Sequence, residues 1–234
     1  MYAKKILILG IGNILWADEG FGVRTVERLN QLYEFPENVR LLDGGTQGLY
    51  LIQDVREAKV LIVFDAIDYG LPPGTLKVLE DKKVPKFMGV KKVSLHQTGF
   101  QEVLALAELM GDYPEKLLLI GVQPEEIEDY GGSLYPAVKE QIQPAIEKAL
   151  EYLNHMGISC RKRKTPLTVN ESCSLSVLNM RDYESGRPSE KDALRNGDER
   201  VLKSDDFMVT EPCAVSMGEN ALDVGFDHHL EKYR

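Results

Sequence analysis

The sequence predicts an α/β protein, a three-layer sandwich in which a mostly parallel, twisted sheet of about five strands carries helices on both faces. Two observations lead there. Short, wholly apolar runs recur at Ile6–Leu9, Val60–Phe64 and Leu117–Ile120, which is how a strand buried on both faces reads. Between them lie segments whose apolar residues fall at helical spacing. Buried strands alternating with helices need crossover connections, and these make the sheet largely parallel. Ligands of such sheets bind beyond the carboxyl ends of the strands, so function is sought in the residues that follow each strand.

In chain order, Lys5–Leu9 is the first strand. Phe21–Tyr33 follows as a helix, with Val23, Val26, Leu29, Leu32 and Tyr33 on one face. Val39–Leu42 is the second strand and Leu49–Val55 a short helix. Val60–Phe64 is the third strand. A fourth, Gly74–Leu79, begins at a Pro-Pro-Gly turn. Val103, Leu104, Leu106, Ala107 and Met110 mark a helix, and Leu117–Val122 is the fifth strand. Pro136 opens a helix that runs to about His155. Pro144 should kink its first half.

Composition excludes several classes. The 234 residues carry a formal charge of −9 and no basic stripe, which argues against nucleic acid or anionic membrane as the main partner. No apolar run approaches the roughly 18 residues a spanning helix needs. The N-terminus enters a strand pattern without the apolar stretch of a signal peptide, so a cytoplasmic protein without membrane insertion is expected. Cys160, Cys173 and Cys213 form no CxxC pair, which leaves neither a cysteine zinc site nor a thioredoxin-like motif. Their odd number also argues against a disulfide framework. Beyond residue 160 apolar residues thin out and periodicity stops. Residues 1–159 are therefore expected to form the folded domain and 160–234 a loosely ordered extension. The His228-His229 pair in it is expected to be solvated.

The strand ends hold the chemistry. After the first strand comes Gly10-Ile11-Gly12, ahead of Asp18-Glu19-Gly20. A dinucleotide fingerprint would need its third glycine at position 15, where Leu15 stands. Two carboxylates at that turn would also repel phosphate. The plainer reading is a tight turn for close helix packing, with Asp18 and Glu19 at the positive end of the helix dipole. After the second strand, Asp43-Gly44-Gly45-Thr46 is either a backbone surface for a bound chain or a simple connection with Thr46 as a helix cap. Asp65 follows the third strand directly. Asp68, before Tyr69-Gly70, suits a turn. His96 lies just before a helix. Glu19, Asp65 and His96 come from three separate loops. Together they would make a nitrogen–oxygen ligand set suited to zinc or nickel, although no short metal signature such as HExxH is present.

These residues resemble the maturation endopeptidases of nickel–iron hydrogenases. The resemblance rests on Gly10-x-Gly12-Asn13, Asp18-Glu19, Gly22-Val23-Arg24 and Leu42-Asp43-Gly44-Gly45-Thr46. It continues through Asp65-Ala66, His96-Gln97-x-Gly99 and Leu119-Ile120-Gly121-Val122-Gln123-Pro124. It implies an endopeptidase that removes a C-terminal peptide from the nickel-loaded precursor of the hydrogenase large subunit. It also implies nickel ligands at Glu19, Asp65 and His96, the nickel being supplied by or shared with the substrate. Asp43, Gly44, Gly45 and Thr46 become substrate contacts. Every cysteine lies outside the matched region and no Ser-His-Asp arrangement is visible, so covalent catalysis is not expected. Glu19 and Asp65 stand as candidates for the catalytic base, in an aspartic-type or a metallo-type mechanism. A nickel-dependent chaperone that holds the precursor without cutting it would use the same ligands.

Overall fold

Every residue of the first strand, β1 (Ile6–Ile11), is buried, because the strand lies inside a five-stranded sheet with the order β3-β1-β4-β6-β5. The computed structural model describes residues 5–84, 95–168, 171, 173 and 179–187, with the backbone alone for 95–98. The chain divides into two units, Met1–Pro188 and Ser189–Arg234, and all described residues belong to the first.

A 3-10 turn, Ala17–Gly20, leads from β1 into α1, Phe21–Leu32. Then come β2 (Tyr33–Glu34), β3 (Val39–Gly45), a second 3-10 turn at Gly48–Leu51, α2 (Ile52–Glu57) and β4 (Val60–Ala66). Next are β5 (Leu76–Glu80), α3 (Leu95–Leu109) and β6 (Lys116–Val122). The chain continues with α4 (Pro136–Lys139), α5 (Ile142–His155), β7 (Arg161–Lys162) and α6 (Met180–Gly186). β3, β1, β4 and β6 are parallel, and β5 closes the edge antiparallel to β6.

Alternation along the strands sorts the core into two layers. Ile6, Ile8, Val60, Ile62, Phe64, Leu118 and Ile120 share a cluster with Phe21, Val26 and Leu29 of α1 and Ala145, Ile146 and Leu153 of α5. Leu7, Leu9, Leu61, Val63, Leu117 and Leu119 share the other with Val55 of α2 and Phe100, Val103 and Leu104 of α3. Both faces are covered, which is why the middles of β1, β4 and β6 are apolar on both sides. Each buried aliphatic side chain contributes about 1.5–3 kcal/mol.

The Pro136–His155 helix is broken rather than kinked. Pro144 is the third residue of α5, where a missing N–H costs nothing. In a continuous helix its ring would meet the Glu140 carbonyl. The break at Glu140–Gln141 removes that clash, and α5 starts afresh with Ala145 N donating to the Gln141 carbonyl at 2.9 Å.

The chain packs on beyond the boundary that composition suggests at 159. β7 pairs antiparallel with β2. Arg163 N donates to Leu32 O at 2.8 Å and Leu167 N to Gln31 O at 3.0 Å. Cys160, Cys173 and Met180 pack against the α1–α5 layer. Asn179 is buried and caps α6, accepting from Asp182 N at 3.0 Å. A few scattered apolar residues and backbone hydrogen bonds make this attachment, so average composition and periodicity do not register it. Residues 189–234, including Cys213, His228 and His229, lie outside the described residues.

Candidate functional site at the carboxyl edge

The ends of β1 and β4 are roofed by backbone. Gly12 has φ +133°, and a Cβ placed there would lie 1.8 Å from the Glu19 carbonyl oxygen. A Cβ on Gly22 would lie 2.2 Å from the carbonyl oxygens of both Ile11 and Phe64. Only glycine allows this approach, which sets the Ala17–Gly20 turn and the start of α1 directly on the two strand ends. The carbonyl of Glu19 fills the space that any side chain at position 12 would need. The Gly-x-Gly pattern is thus a packing device, and Glu19 stands half-buried at the carboxyl edge.

Asp65 is the next-to-last residue of β4 and is fully buried. It stands in register with Gly121 of β6. By alternation with Leu61 and Val63, it belongs to the sheet face covered by α2 and α3. Tyr69 lies against the same spot. A Cβ on Gly121 would come 2.2 Å from the Tyr69 hydroxyl. Burial, and then the negative charge of Asp65, push that hydroxyl well above the usual tyrosine range. The phenol therefore stays a proton donor beside the carboxylate at any physiological pH. Tyr69 carries no short motif. The signal for it is the missing side chain at Gly121, which has meaning only once the β4–β6 register is known.

His96 is the second residue of α3, and its side chain lies outside the described residues. Phe100, Val103 and Leu104 seat the helix on the sheet face to which Asp65 belongs. A Cβ on Gly99 would be 3.4 Å from the Cα of Gly48, so the first turns of α3 abut the loop after β3. Among the described residues no three His, Cys, Asp or Glu side chains gather closely enough to hold a metal; the His96 side chain is not one of them.

The loop after β3 keeps its backbone near the edge. Asp43, Gly44 and Gly45 end the strand itself. Gly45 has φ +44° and its carbonyl accepts from Gly12 N at 3.0 Å. Thr46 is exposed and is not a helix cap; Gln47 occupies the cap position, without a side-chain hydrogen bond. Beyond it Tyr50 is 88% exposed. Asp68 takes the turn role expected of it, accepting from Gly70 N at 2.8 Å and from Gln123 Nε2 at 3.0 Å.

Asp18 does more than complement a helix dipole. It is fully buried, and its carboxylate accepts from the backbone N–H groups of Glu125 (2.8 Å), Glu126 (3.0 Å) and Tyr135 (2.7 Å). Burial raises its pKa above the ordinary 3.8, against the pull of those three donors. It ties the loop after β6 to the turn that carries Glu19. Trp16 and Tyr130 reinforce the tie, their rings meeting edge-on at 5.2 Å.

Residues 23–152 match the model of a family described as hydrogenase maturation protease. The hydrogenase expression/formation protein HupD of Thiocapsa roseopersicina is 59% identical over 208 residues, covering 89% of this chain and 94% of that protein. The hydrogenase 2 maturation protease of Escherichia coli is 43% identical over 161 residues, 68% of this chain and 97% of that protein. The solved structure of the E. coli hydrogenase maturating endopeptidase HybD superposes with a TM-score of 0.65 at 42% identity. That match covers 68% of this chain and 98% of that one. An alignment of 208 residues cannot fit within residues 1–159, so the match to HupD includes chain beyond 159.

Proposed function

This chain belongs to the hydrogenase maturation protease family, and from that premise we propose that it removes the C-terminal peptide from the nickel-loaded precursor of a nickel–iron hydrogenase large subunit, with Glu19, Asp65 and His96 as its contacts to the nickel. The observation that carries this reading is Asp65, a fully buried carboxylate at the carboxyl end of a buried parallel strand. Ligands of such sheets bind just beyond the carboxyl ends of the strands, which is where this carboxylate stands. Glu19, half-buried on a turn pressed against the same strand ends, supplies a second oxygen donor. Two carboxylates and an imidazole make a hard-to-borderline donor set that fits nickel.

The nickel belongs to the substrate in this reading. Three protein ligands leave coordination positions for groups of the precursor, so precursor without nickel lacks the feature that is recognised. Bound there, the ion acts as a Lewis acid beside the peptide bond to be cut. The chain's own residues do the remainder. Glu19 or Asp65, besides contacting the ion, serves as base toward the attacking water; the enzyme is metallo-type where the ion activates that water and aspartic-type where the carboxylate does. Tyr69 keeps a protonated phenol beside Asp65. The Asp43–Thr46 loop offers backbone groups to the extended chain of the substrate.

The reading places the reaction in the cytoplasm, with no nucleic-acid partner and no insertion in a membrane. Among the described residues no helix is long and apolar enough to cross one, and the charge of −9 suits neither polyanion. The test incubates purified protein with precursor, with and without nickel, and follows precursor mass. Loss of a C-terminal peptide from the nickel-loaded form alone is expected. Equal cutting of nickel-free precursor would overturn the nickel reading, and binding without mass loss would leave a chaperone.

A further inference from the structure

The loop leaving β6, residues 123–135, borders the site. Gly131 N donates to the Leu15 carbonyl at 2.7 Å, and Trp16 bridges to Tyr130. Glu19 N in turn donates to the Trp16 carbonyl at 2.9 Å. A displacement of this loop is therefore passed to Glu19 through two hydrogen-bonded steps. Tyr130, 65% exposed, gives the loop an aromatic face toward any chain approaching that edge.

The outer side of the loop is held by α6. The Tyr183 hydroxyl donates to the Gly132 carbonyl at 3.2 Å. Ser133 Oγ donates to Glu184 at 2.8 Å, and Lys139 Nζ reaches both oxygens of Glu184 at 2.7 and 2.8 Å. The Arg24 guanidinium lies 5.5 Å above the Tyr183 ring and fixes α6 to α1. Asp18 holds the same loop from within. We propose that α6 is a strap which sets the 123–135 loop, and through it the Glu19 turn, so that this stretch of chain beyond residue 159 positions the precursor for cutting.

Tyr183 and Glu184 are positioning residues in this scheme, since they touch the loop and not the reacting bond. HupD aligns with 89% of this chain and the E. coli protease with 68% of it. The proposal rests on the processing activity inferred above, and its test has one arm that does not.

Tyr183→Phe combined with Glu184→Gln, in the full chain, removes the hydroxyl and the carboxylate charge but keeps the ring over Arg24. With nickel-loaded precursor, KM should rise about fivefold and kcat stay within about twofold, the size expected for losing a loop-positioning hydrogen bond. Amide exchange at Gly131 and Gly132 should quicken by at least about fivefold, with β1 and β4 amides unchanged. Single Tyr183→Phe should give an intermediate KM. Unchanged exchange at Gly131 and Gly132 overturns the strap whatever the kinetics. Faster exchange with KM unchanged, or with kcat alone reduced, overturns its role in seating the precursor. If the unsubstituted protein cuts no precursor, the processing reading fails by itself and the exchange arm still judges the strap.

Discussion

The loop between β6 and α4 is attached twice, and the two attachments are built from opposite materials. Inside, one carboxylate with no solvent exposure takes three backbone N–H groups. Outside, α6 holds the loop with side chains that are part-exposed, the Lys139–Glu184 pair being 42% and 32% accessible. Hydrogen bonds to a buried charge are worth about 1.5–3 kcal/mol each and leave a large penalty when broken. Exposed ion pairs are worth about 0–1 kcal/mol. The inner attachment is thus part of folding, and the outer one an adjustment that can change without endangering the fold.

The comparison breaks most severely at the support beneath the inner attachment. Gly22→Ala puts a methyl 2.2 Å from two backbone carbonyl oxygens, and neither strand end can retreat. We expect a loss above about 3 kcal/mol, or a fall of about 10 °C in Tm for a unit of this size, read by thermal denaturation. Asp18→Asn comes next. An amide can satisfy only part of the three-donor set and turns its own NH₂ toward the remaining N–H groups. A loss of about 2–3 kcal/mol is expected, measured by denaturant unfolding. A loss no greater than that of an α6 variant would erase the contrast. Glu184→Gln should cost less than about 1 kcal/mol in the same experiment.

The smallest effect, and the sharpest in sign, is the pH dependence. Burial opposes the charge on Glu184, yet Lys139 and Ser133 hold its carboxyl below the ordinary 4.5. Its contribution is complete above 4.5 and is lost as pH falls through the lowered value. Asp18 behaves oppositely. Its raised pKa gives a contribution that is complete below 3.8 and lost as pH rises through the folded value. The stability deficit of Glu184→Gln should therefore shrink from pH 6 to pH 3, and that of Asp18→Asn should grow. Parallel slopes would mean that the two attachments do not differ in kind.

The same contrast explains what the sequence made legible. The sheet and its helices were readable because β1, β4 and β6 carry the unbroken apolar runs Ile6–Leu9, Val60–Phe64 and Leu117–Ile120, and because α1 and α5 keep helical spacing. Gly12 was readable as a packing glycine because the third glycine of a nucleotide motif is absent. Pro144 announced an interruption, though the break falls at Glu140–Gln141, one turn earlier, because the clash is with the preceding turn. Tyr69 was hidden because its partner is an absent side chain on a strand far away in sequence. Asp18 looked like a helix-end charge because its three donors lie more than a hundred residues on. The attachment of α6 was invisible to composition because it uses one ring, one carboxylate and a cap.

The central claim is that this edge of the sheet cuts a precursor by way of its nickel. The direct measurement is the mass of nickel-loaded precursor after incubation with the protein and with Asp65→Asn, whose amide keeps the shape and removes the charge. The account predicts loss of a C-terminal peptide with the unsubstituted chain, none from nickel-free precursor, and a rate at least about a hundredfold lower for Asp65→Asn despite an intact fold by circular dichroism. Cutting of nickel-loaded precursor by Asp65→Asn at the unsubstituted rate would contradict it.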